Sequence, residues 1–334
     1  MKSKPITSLS KHDDKGAFIR AESYFRNFIS GTDSVYKPEK DRYHLYIAYA
    51  CPWANRTLLA RNMKGLQDVI GLSIVHPTWQ VTKPEDPEDE HKGWVFRKPT
   101  DSPLSNTKGY GSIPCDGCVE DYVNHCRTVR ELYEKCLPEG ITTVYSVPVL
   151  WDKKTGTIVN NESSEICEMF NDSFQDLAKC PNVDLYPKDK KNEIDELNEW
   201  IYNDITNGVY KCLAKSQEVY DIAVNRLFDA LERVEAILSK QKYMVGDQLT
   251  IIDIRLFVTL IRFEEVYFVY FKTNKKSITQ YPSIMRLLKD LYSIPAIKST
   301  INMEHIKRAY YTSHDILNPY AIIPVGNNFL KLLA

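Results

Sequence analysis

Apolar side chains along the first third of the chain change from one spacing to another at residue 51. Residues 43–49, Tyr-His-Leu-Tyr-Ile-Ala-Tyr, are rich in aromatic and β-branched types, which favours a β-strand. The apolar positions after residue 52 recur at helical spacing, and they are Ala54, Leu58, Leu59, Met63 and Leu66. The pattern predicts a strand, a short turn and then a helix that ends near Gly65.

Cys51 and Pro52 occupy the turn between this strand and this helix. Proline suits the first turn of a helix, so Cys51 is expected at the helix N-terminus. Unpaired N–H groups and the positive end of the helix dipole favour a thiolate there. The pKa of a cysteine so placed can fall from about 8.5 to roughly 3.5–7.5. The alternative is a buried structural cysteine, since Cys outside disulfides often belongs to the core.

A second apolar run, Val69 to Val75, predicts a strand that is buried on both faces. The helix between the two strands provides a crossover, so they should pair in parallel. Residues 76–118 follow neither period and contain many prolines and the acidic run Glu85 to Glu90. A loop of this length is usually functional or disordered. Within it, Trp94 either packs onto the domain or lines a pocket near Cys51.

Cys115 and Cys118 form a CxxC pair that, with His125 and Cys126, could resemble a zinc site. The apolar positions of residues 119–136, however, fall at helical spacing. They predict one helix with Cys126 and Cys136 on its core face. The second ligand pair lacks regular zinc spacing, and we therefore predict no metal site.

Two short strand-like runs, 147–152 and 157–160, flank the turn Lys153-Lys154-Thr155-Gly156 and predict a β-hairpin. The next residues, Asn161-Glu162-Ser163-Ser164-Glu165, have the pattern of a helix start. Unpaired N–H groups at such a start can hold a carboxylate. The alternative for Glu162 and Ser163 is a capping role alone.

Helical spacing dominates the sequence from about residue 190. The apolar runs lie at 194–201, 219–238, 254–269 and 284–292. Thr250 and Asp253 have the spacing of a capping box. We predict an α/β domain over residues 43–180 and an all-helical domain over residues 190–312. An N-terminal arm, residues 1–42, should pack on the α/β domain, and residues 313–334 form a C-terminal tail.

Composition narrows the class of protein. The chain has 334 residues, enough for about two domains, and a formal net charge of −1. That charge gives no electrostatic argument for nucleic acid or for a membrane surface. No apolar run approaches the ~20 residues of a membrane span, and the polar N-terminus lacks the apolar stretch of a secretory signal. We therefore expect a cytoplasmic protein whose eight cysteines stay mostly reduced.

In this order the motifs resemble a known family. A strand–Cys-Pro–helix–strand unit, a Val-Pro before a hairpin and a Glu-Ser helix start resemble the thioredoxin-like domain of glutathione transferases, with the all-helical domain behind it. More narrowly, residues from about Tyr43 to Pro319 resemble the glutathionyl-hydroquinone reductases, the Xi class of omega-like enzymes. The motifs that carry the resemblance are Cys51-Pro52-Trp53-Ala54, Gly93-Trp94, Val147-Pro148-Val149-Leu150-Trp151-Asp152, Asn161-Glu162-Ser163, Asn207-Gly208-Val209-Tyr210, Asp253-Ile254-Arg255-Leu256 and His305-Ile306.

The resemblance implies a set of glutathione-binding residues around a nucleophile. Cys51 would be the nucleophile, and Trp94 would contact glutathione beside its thiol. Val147 precedes a proline that is cis in thioredoxin-like folds, and its backbone would pair with the glutathione peptide. Glu162 and Ser163 would hold the γ-glutamyl end. Glutathione would be the co-substrate, aromatic quinol conjugates the other ligand, and the assembly a homodimer.

The resemblance also implies three tyrosines that act on the quinol. Tyr210 would donate a proton, and Tyr267 and Tyr310 would hydrogen-bond the quinol oxygens. The alternative for any one of them is simple packing, because the chain contains 21 tyrosines. One departure from the family pattern is Asn55, where many members have histidine. The acidic run and the CxxC pair also look like additions.

These implications give one predicted reaction and several alternatives. The Cys51 thiolate would remove glutathione from an S-glutathionyl-hydroquinone, forming a mixed disulfide that a second glutathione resolves. An omega-like thioltransferase or dehydroascorbate reductase would use Cys51 without a quinol pocket. A non-catalytic glutathione-binding scaffold would need no reactive thiol. A conjugating transferase, which activates glutathione by a hydrogen bond to its thiolate, fits less well. A cysteine at this position would form a disulfide with glutathione in place of that hydrogen bond.

Overall fold

The structure is a computed structural model that describes residues 13–31, 35–141 and 143–334. The first twelve residues of the predicted arm lie outside these ranges. Among the described residues, one compact unit contains Ala21–Pro181 and Asn302–Ile323. A second unit contains residues 13–20, Asn182–Ile301 and Pro324–Ala334. In the described ranges, no helix is both long enough and apolar enough to cross a membrane.

The regular elements follow the chain in one order. They are β1 Tyr43–Ile47, α1 Pro52–Met63, β2 Gly71–Ile74, β3 Gln80–Val81, β4 Lys92–Gly93, α2 Val129–Glu134, β5 Val149–Asp152, β6 Thr157–Asn160, α3 Ser163–Asp172, α4 Lys191–Trp200, α5 Gly208–Lys211, α6 Gln217–Leu238, α7 Ile251–Leu260, α8 Phe268–Tyr270, α9 Pro282–Ser293, α10 Pro295–Lys298, α11 Met303–Ser313 and α12 Leu330–Leu333. The strands, α1 to α3 and α11 belong to the first unit.

The first unit is organised around a four-stranded sheet with the order β2-β1-β5-β6. β1 is parallel to β2 and antiparallel to β5, so Leu45 lies opposite both Leu72 and Leu150. β5 and β6 are antiparallel, and every residue of β1 and β5 is buried. The sheet confirms the predicted parallel pair, the hairpin and the α/β class of this unit.

The predicted single helix over residues 119–136 is wrong, because only Val129–Glu134 is helical. The carboxylate of Asp121 accepts the backbone N–H groups of Val123, Asn124 and Cys126 at 3.1, 2.9 and 3.1 Å. These bonds compete with helical pairing and hold residues 121–126 in a turn. The helix begins after Thr128, whose hydroxyl accepts the Glu131 N–H at 3.1 Å. Cys126 is buried as predicted, but outside the helix.

The long segment at 76–118 is irregular, as its composition predicts, apart from the two-residue strands β3 and β4. The acidic run does not remain wholly solvated. Asp89 pairs with Arg130 through both carboxylate oxygens, at 2.8 and 2.6 Å. This ion pair joins the loop to α2.

The second unit is helical in its described part, and α6 and α9 agree with the predicted periods. The run predicted over residues 254–269 is not one helix. It divides into α7, a π-helical turn at Phe263–Tyr267 and α8. Within the π turn the Tyr267 N–H reaches back five residues to the Arg262 carbonyl, at 3.4 Å. The inserted residue changes which side chains face the core.

The predicted capping box at the start of α7 is confirmed. Asp253 is fully buried, and its carboxylate accepts the Thr250 N–H at 2.9 Å and the Met244 N–H at 2.8 Å. One side chain therefore satisfies two buried backbone donors and fixes the loop that leads into the helix.

Replacing this acid should destabilise the protein. We expect Asp253→Ala to lower the free energy of unfolding by about 2–4 kcal/mol, because two buried N–H groups lose their acceptor. Urea denaturation followed by circular dichroism measures the change. Asp229→Ala, at an exposed position of α6, is the matched control and should change stability by less than about 0.5 kcal/mol. Equal effects of the two variants would contradict the capping role.

Candidate active site

Cys51 is the residue immediately before α1, with extended backbone angles (φ −75°, ψ 115°). Pro52 is the first helical residue, and the Cys51 carbonyl accepts the Asn55 N–H at 2.8 Å. The Cys51 side chain is half-buried, so the alternative of a fully buried core cysteine does not hold. Cys51 therefore occupies the helix N-terminus that the sequence predicts.

Val147 lies next to Cys51 in space. The Cys51 thiol donates to the Val147 carbonyl oxygen, with a sulfur–oxygen distance of 3.4 Å. The Val147–Pro148 peptide bond is cis, as the family resemblance implies. None of the described residues accepts a hydrogen bond from the Val147 N–H. A backbone donor is thus available beside the thiol for an extended peptide.

Glu162 and Ser163 meet the helix of Cys51 through Arg56. Glu162 caps α3 by accepting the Ser164 N–H at 3.2 Å, and Ser163 is the first helical residue. The Arg56 guanidinium donates to the Ser163 hydroxyl oxygen at 3.0 and 2.6 Å. It also lies 3.5 Å from the Glu162 carboxylate and stacks on the Trp53 ring. α1 and α3 are therefore joined by one buried cation.

The electrostatics keep Glu162 ionised near neutral pH. Burial alone would raise the pKa of its carboxyl group. The charge of Arg56 and the hydrogen bonds from Ser164 and Ser23 outweigh burial, and the pKa is lowered. An ionised carboxylate at this corner can accept hydrogen bonds from an ammonium group.

Trp94 and Tyr310 belong to one aromatic cluster of the first unit. Trp94 is half-buried, and its ring packs edge-on against Trp79, with 5.4 Å between centroids. Trp79 contacts His314 at 5.2 Å, and His314 contacts Tyr310 at 6.2 Å. Trp94 therefore packs onto the domain through Trp79, and its contact with glutathione beside Cys51 stays a prediction.

Tyr210 and Tyr267 lie in the second unit, where their rings are 5.9 Å apart. Tyr210 is buried in α5, and Tyr267 is fully buried in the π turn. The Arg20 guanidinium lies 5.3 Å from the Tyr210 ring and donates to the Asn207 side chain at 3.1 Å. Both tyrosines pack among aromatic side chains of the second unit, and the roles that the resemblance implies for them stay predictions.

The CxxC pair lies at a turn beside α11. Cys115 and Cys118 are buried, and burial raises the pKa of the Cys118 thiol to about 12. The His305 ring nitrogen contacts the Asp116 carbonyl oxygen at 2.5 Å, and Arg308 pairs with the Asp116 carboxylate at 2.7 Å. In the described ranges no three His, Cys, Asp or Glu side chains cluster as metal ligands would. Asp116, between the two cysteines, therefore anchors this turn to α11.

Four residues around this site have no role that the sequence motifs predict, namely Arg56, Trp79, His314 and Ser23. Arg56 has a detectable pattern, because a cation four residues into a buried helix needs an acidic or polar partner. Its partners Glu162 and Ser163 lie 106 and 107 residues further along the chain, so the pattern does not name them. Trp79, His314 and Ser23 have no local pattern that separates them from other loop residues.

Two family models match the chain. One is the N-terminal domain of glutathione S-transferase, over residues 50–173, and the other is its C-terminal domain, over residues 217–290. The glutathionyl-hydroquinone reductase YqjG of Escherichia coli (strain K12) is 41% identical to the chain, over 93% of this chain and 89% of its own.

Solved structures give the same result. Glutathione transferase Xi from Phanerochaete chrysosporium is 43% identical, with a TM-score of 0.84 over 95% of each chain. The glutathione-bound structure of YqjG from Escherichia coli K-12 is 40% identical, with a TM-score of 0.79 over 91% of this chain and 92% of that one. The fold and the matched domains define the glutathione transferase class. Within that class, the chain belongs to the Xi-class family, which contains the glutathionyl-hydroquinone reductases.

The cysteines should differ in their reactivity towards iodoacetamide near pH 7. We expect Cys51 to be alkylated first, ahead of the more exposed Cys180, because only Cys51 lies at the N-terminus of a helix. The buried thiols of Cys118, Cys126 and Cys212 should be protected, since burial raises the pKa of each to about 12. Peptide mass spectrometry measures each rate.

Labelling in concentrated urea is the control for this experiment and should modify all eight cysteines. If native Cys51 reacts more slowly than Cys180, or only after unfolding, Cys51 is not the reactive thiol.

Proposed function

We propose that this protein is a glutathione-dependent reductase that removes glutathione from S-glutathionyl-hydroquinones. The observation that carries the proposal is the half-buried Cys51 at the N-terminus of α1, 3.4 Å from the Val147 carbonyl oxygen. Arg56 joins that helix to Glu162 and Ser163. Relatives of the chain bear the name of this activity, and one of them has been solved with glutathione bound.

Glutathione would bind along the first unit in an extended conformation. Its γ-glutamyl ammonium group would donate to the Glu162 carboxylate. Its γ-glutamyl carboxylate would accept from the Ser163 N–H, which donates to no described residue. The Val147 N–H would pair with the cysteinyl carbonyl, and Trp94 would contact the tripeptide beside the thiol. The glutathione sulfur would then lie against Cys51.

The reaction would proceed in two steps on the Cys51 thiol. In the first, the thiolate attacks the sulfur of the conjugate, a Cys51–glutathione disulfide forms, and the carbon–sulfur bond breaks. The bonding electron pair passes to the ring carbon, which takes a proton from Tyr210 and leaves as hydroquinone. Tyr267 and Tyr310 would hydrogen-bond the quinol oxygens. In the second step another glutathione thiolate attacks the disulfide and releases oxidised glutathione.

The second candidate is an omega-like thioltransferase, which uses Cys51 on small mixed disulfides. We expect Cys51→Ser to abolish turnover of both substrate types. Tyr210→Phe should slow reduction of a glutathionyl-hydroquinone at least tenfold, because the ring carbon loses its acid. The same variant should leave reduction of a glutathione–hydroxyethyl disulfide near the native rate. Steady-state assays with both substrates measure the difference.

Two results of these assays would count against the proposal. Near-full reductase activity in Cys51→Ser would remove the nucleophile. Equal activity of Tyr210→Phe and the native protein on the hydroquinone conjugate would leave the thioltransferase as the better assignment. Tyr202→Phe, a half-buried tyrosine in the same unit, is the matched control.

We also propose that the protein acts as a homodimer in the cytoplasm. Four large apolar side chains of the first unit are exposed near the end of the chain, namely Ile316, Leu317, Tyr320 and Ile322, at 90%, 55%, 61% and 67%. An apolar run of this kind favours contact with a protein surface. All eight cysteines lie in the described ranges, and none forms a disulfide, which suits a reducing compartment.

Polar substitutions in this run should weaken the dimer. The native protein should sediment as a dimer in analytical ultracentrifugation at micromolar concentration. Ile316→Asp combined with Ile322→Asp should shift it towards the monomer, since the charges oppose burial of this surface. Ile222→Asp, 56% exposed on α6, is the control and should leave the dimer intact. A native monomer, or a dimer that the double variant leaves unchanged, would contradict the assignment.

A further inference from the structure

We propose that Ser23, in the N-terminal segment of residues 23–29, is a positioning residue for the γ-glutamyl end of glutathione. The Ser23 hydroxyl donates to Oε2 of Glu162 at 3.0 Å and lies 3.3 Å from the Asn161 carbonyl oxygen. Ser23 and Glu162 are both half-buried. The inference rests on the proposed function, because it takes Glu162 as the acceptor for the glutathione ammonium group.

The N-terminal segment is held in place along the outer edge of β6. Its backbone pairs antiparallel with that strand, with the Asn27 N–H donating to the Val159 carbonyl at 3.0 Å. The Asn161 N–H donates to the Phe25 carbonyl at 3.1 Å. Phe25 is buried, and its ring packs against Tyr133. Because backbone hydrogen bonds and the buried Phe25 ring both hold the segment, the Ser23 hydroxyl has a defined position.

The hydrogen bonds to Glu162 divide between its two oxygens. Oε1 accepts from the Ser164 N–H and the Ser164 hydroxyl, and it faces Arg56 at 3.5 Å. Among the described residues, Oε2 accepts from Ser23 alone. A carboxylate has about four acceptor positions, so one hydrogen bond on Oε2 leaves room for a ligand ammonium group. Ser23 thus fixes the rotation of the carboxylate without filling it.

The surrounding charges do not replace this contact. Arg26, on the same segment, forms two nitrogen–oxygen contacts with the Glu165 carboxylate. Arg56 approaches Oε1 and donates mainly to the Ser163 hydroxyl. Without Ser23, Oε2 would lose its protein donor, and the carboxylate would be held from one side.

Affinities for two ligands distinguish this role from the alternative, in which Ser23 only holds the N-terminal segment against the domain. All variants carry Cys51→Ser, so that binding is not covalent, and titration calorimetry measures glutathione and its analogue that lacks the α-amino group. We expect Ser23→Ala to weaken glutathione binding about five- to tenfold, because a hydrogen bond to a charged group is lost. Binding of the amine-free analogue should not change. Ser23→Thr, which keeps the hydroxyl, should restore most of the affinity.

Ser173→Ala is the matched control. The Ser173 hydroxyl donates to the Ile29 carbonyl at 2.7 Å, so it also ties the N-terminal segment to α3, but it does not touch Glu162. We expect this variant to bind both ligands as the parent protein does. If Ser23→Ala and Ser173→Ala weaken binding equally, or if Ser23→Ala weakens both ligands equally, the inference fails.

Glutathione binding by Glu162→Gln shows whether a failure concerns the role of Ser23 or the proposed glutathione site itself. If Glu162→Gln weakens glutathione binding and Ser23→Ala does not, the glutathione site stands and the role of Ser23 is wrong. If Glu162→Gln leaves glutathione affinity unchanged, both the proposed site and the role of Ser23 are overturned. Thermal unfolding of each variant checks that the protein is folded. Glutathione affinities of Ser23→Thr and Ser23→Val, whose side chains have nearly the same shape, repeat the test of the hydroxyl.

Discussion

The buried guanidinium of Arg56 is the interaction on which the candidate site depends. It holds α1, which begins at Cys51, against α3, which begins at Ser163. A buried cation requires partners, and here the Ser163 hydroxyl and the Glu162 carboxylate supply them. The same contact therefore fixes Cys51, the proposed nucleophile, relative to the proposed γ-glutamyl site at Glu162 and Ser163. Loss of the Glu162 carboxylate would leave the buried Arg56 charge without its anionic partner in the core of the first unit.

This constraint places two helix starts where they would bind one ligand in the proposed site. Cys51 and Ser163 each occupy the N-terminal turn of a helix, where unpaired N–H groups favour negative charge. One end would favour a thiolate, and the other would hold a carboxylate. The cis Val147–Pro148 bond lies beside the first of them, with a backbone N–H that no described residue uses. A tripeptide with a thiol at its centre and a charged γ-glutamyl end matches this arrangement.

Elements set by neighbouring residues could be predicted from the sequence. A change in apolar spacing predicts the first strand, the turn with Cys51 and Pro52, and the helix after it. Two residues, Thr250 and Asp253, predict the capping box of α7. The cis proline came from the family resemblance and is confirmed. The predicted helix at residues 119–136 failed because the Asp121 carboxylate takes three backbone donors. Apolar periodicity does not record such a side-chain acceptor.

Contacts between residues far apart in the chain could not be predicted from local sequence patterns. The partners of Arg56 lie 106 and 107 residues away, and the contact from Ser23 to Glu162 spans 139 residues. The π turn at Phe263–Tyr267 interrupts a run whose apolar pattern continues through it, so spacing alone predicted one helix. The roles of Tyr210, Tyr267 and Tyr310 come from family motifs and remain predictions.

A crystal structure of the protein with glutathione would show whether Cys51 and Glu162 bind the two parts of the tripeptide as proposed. We expect continuous density between the Cys51 sulfur and the glutathione sulfur, at the ~2.05 Å of a disulfide. We also expect the ligand ammonium group within hydrogen-bonding distance of Glu162. Glutathione bound away from α1 and α3, or a Cys51 sulfur several ångströms from the ligand thiol with Glu162 unoccupied, would show that the proposed site is wrong.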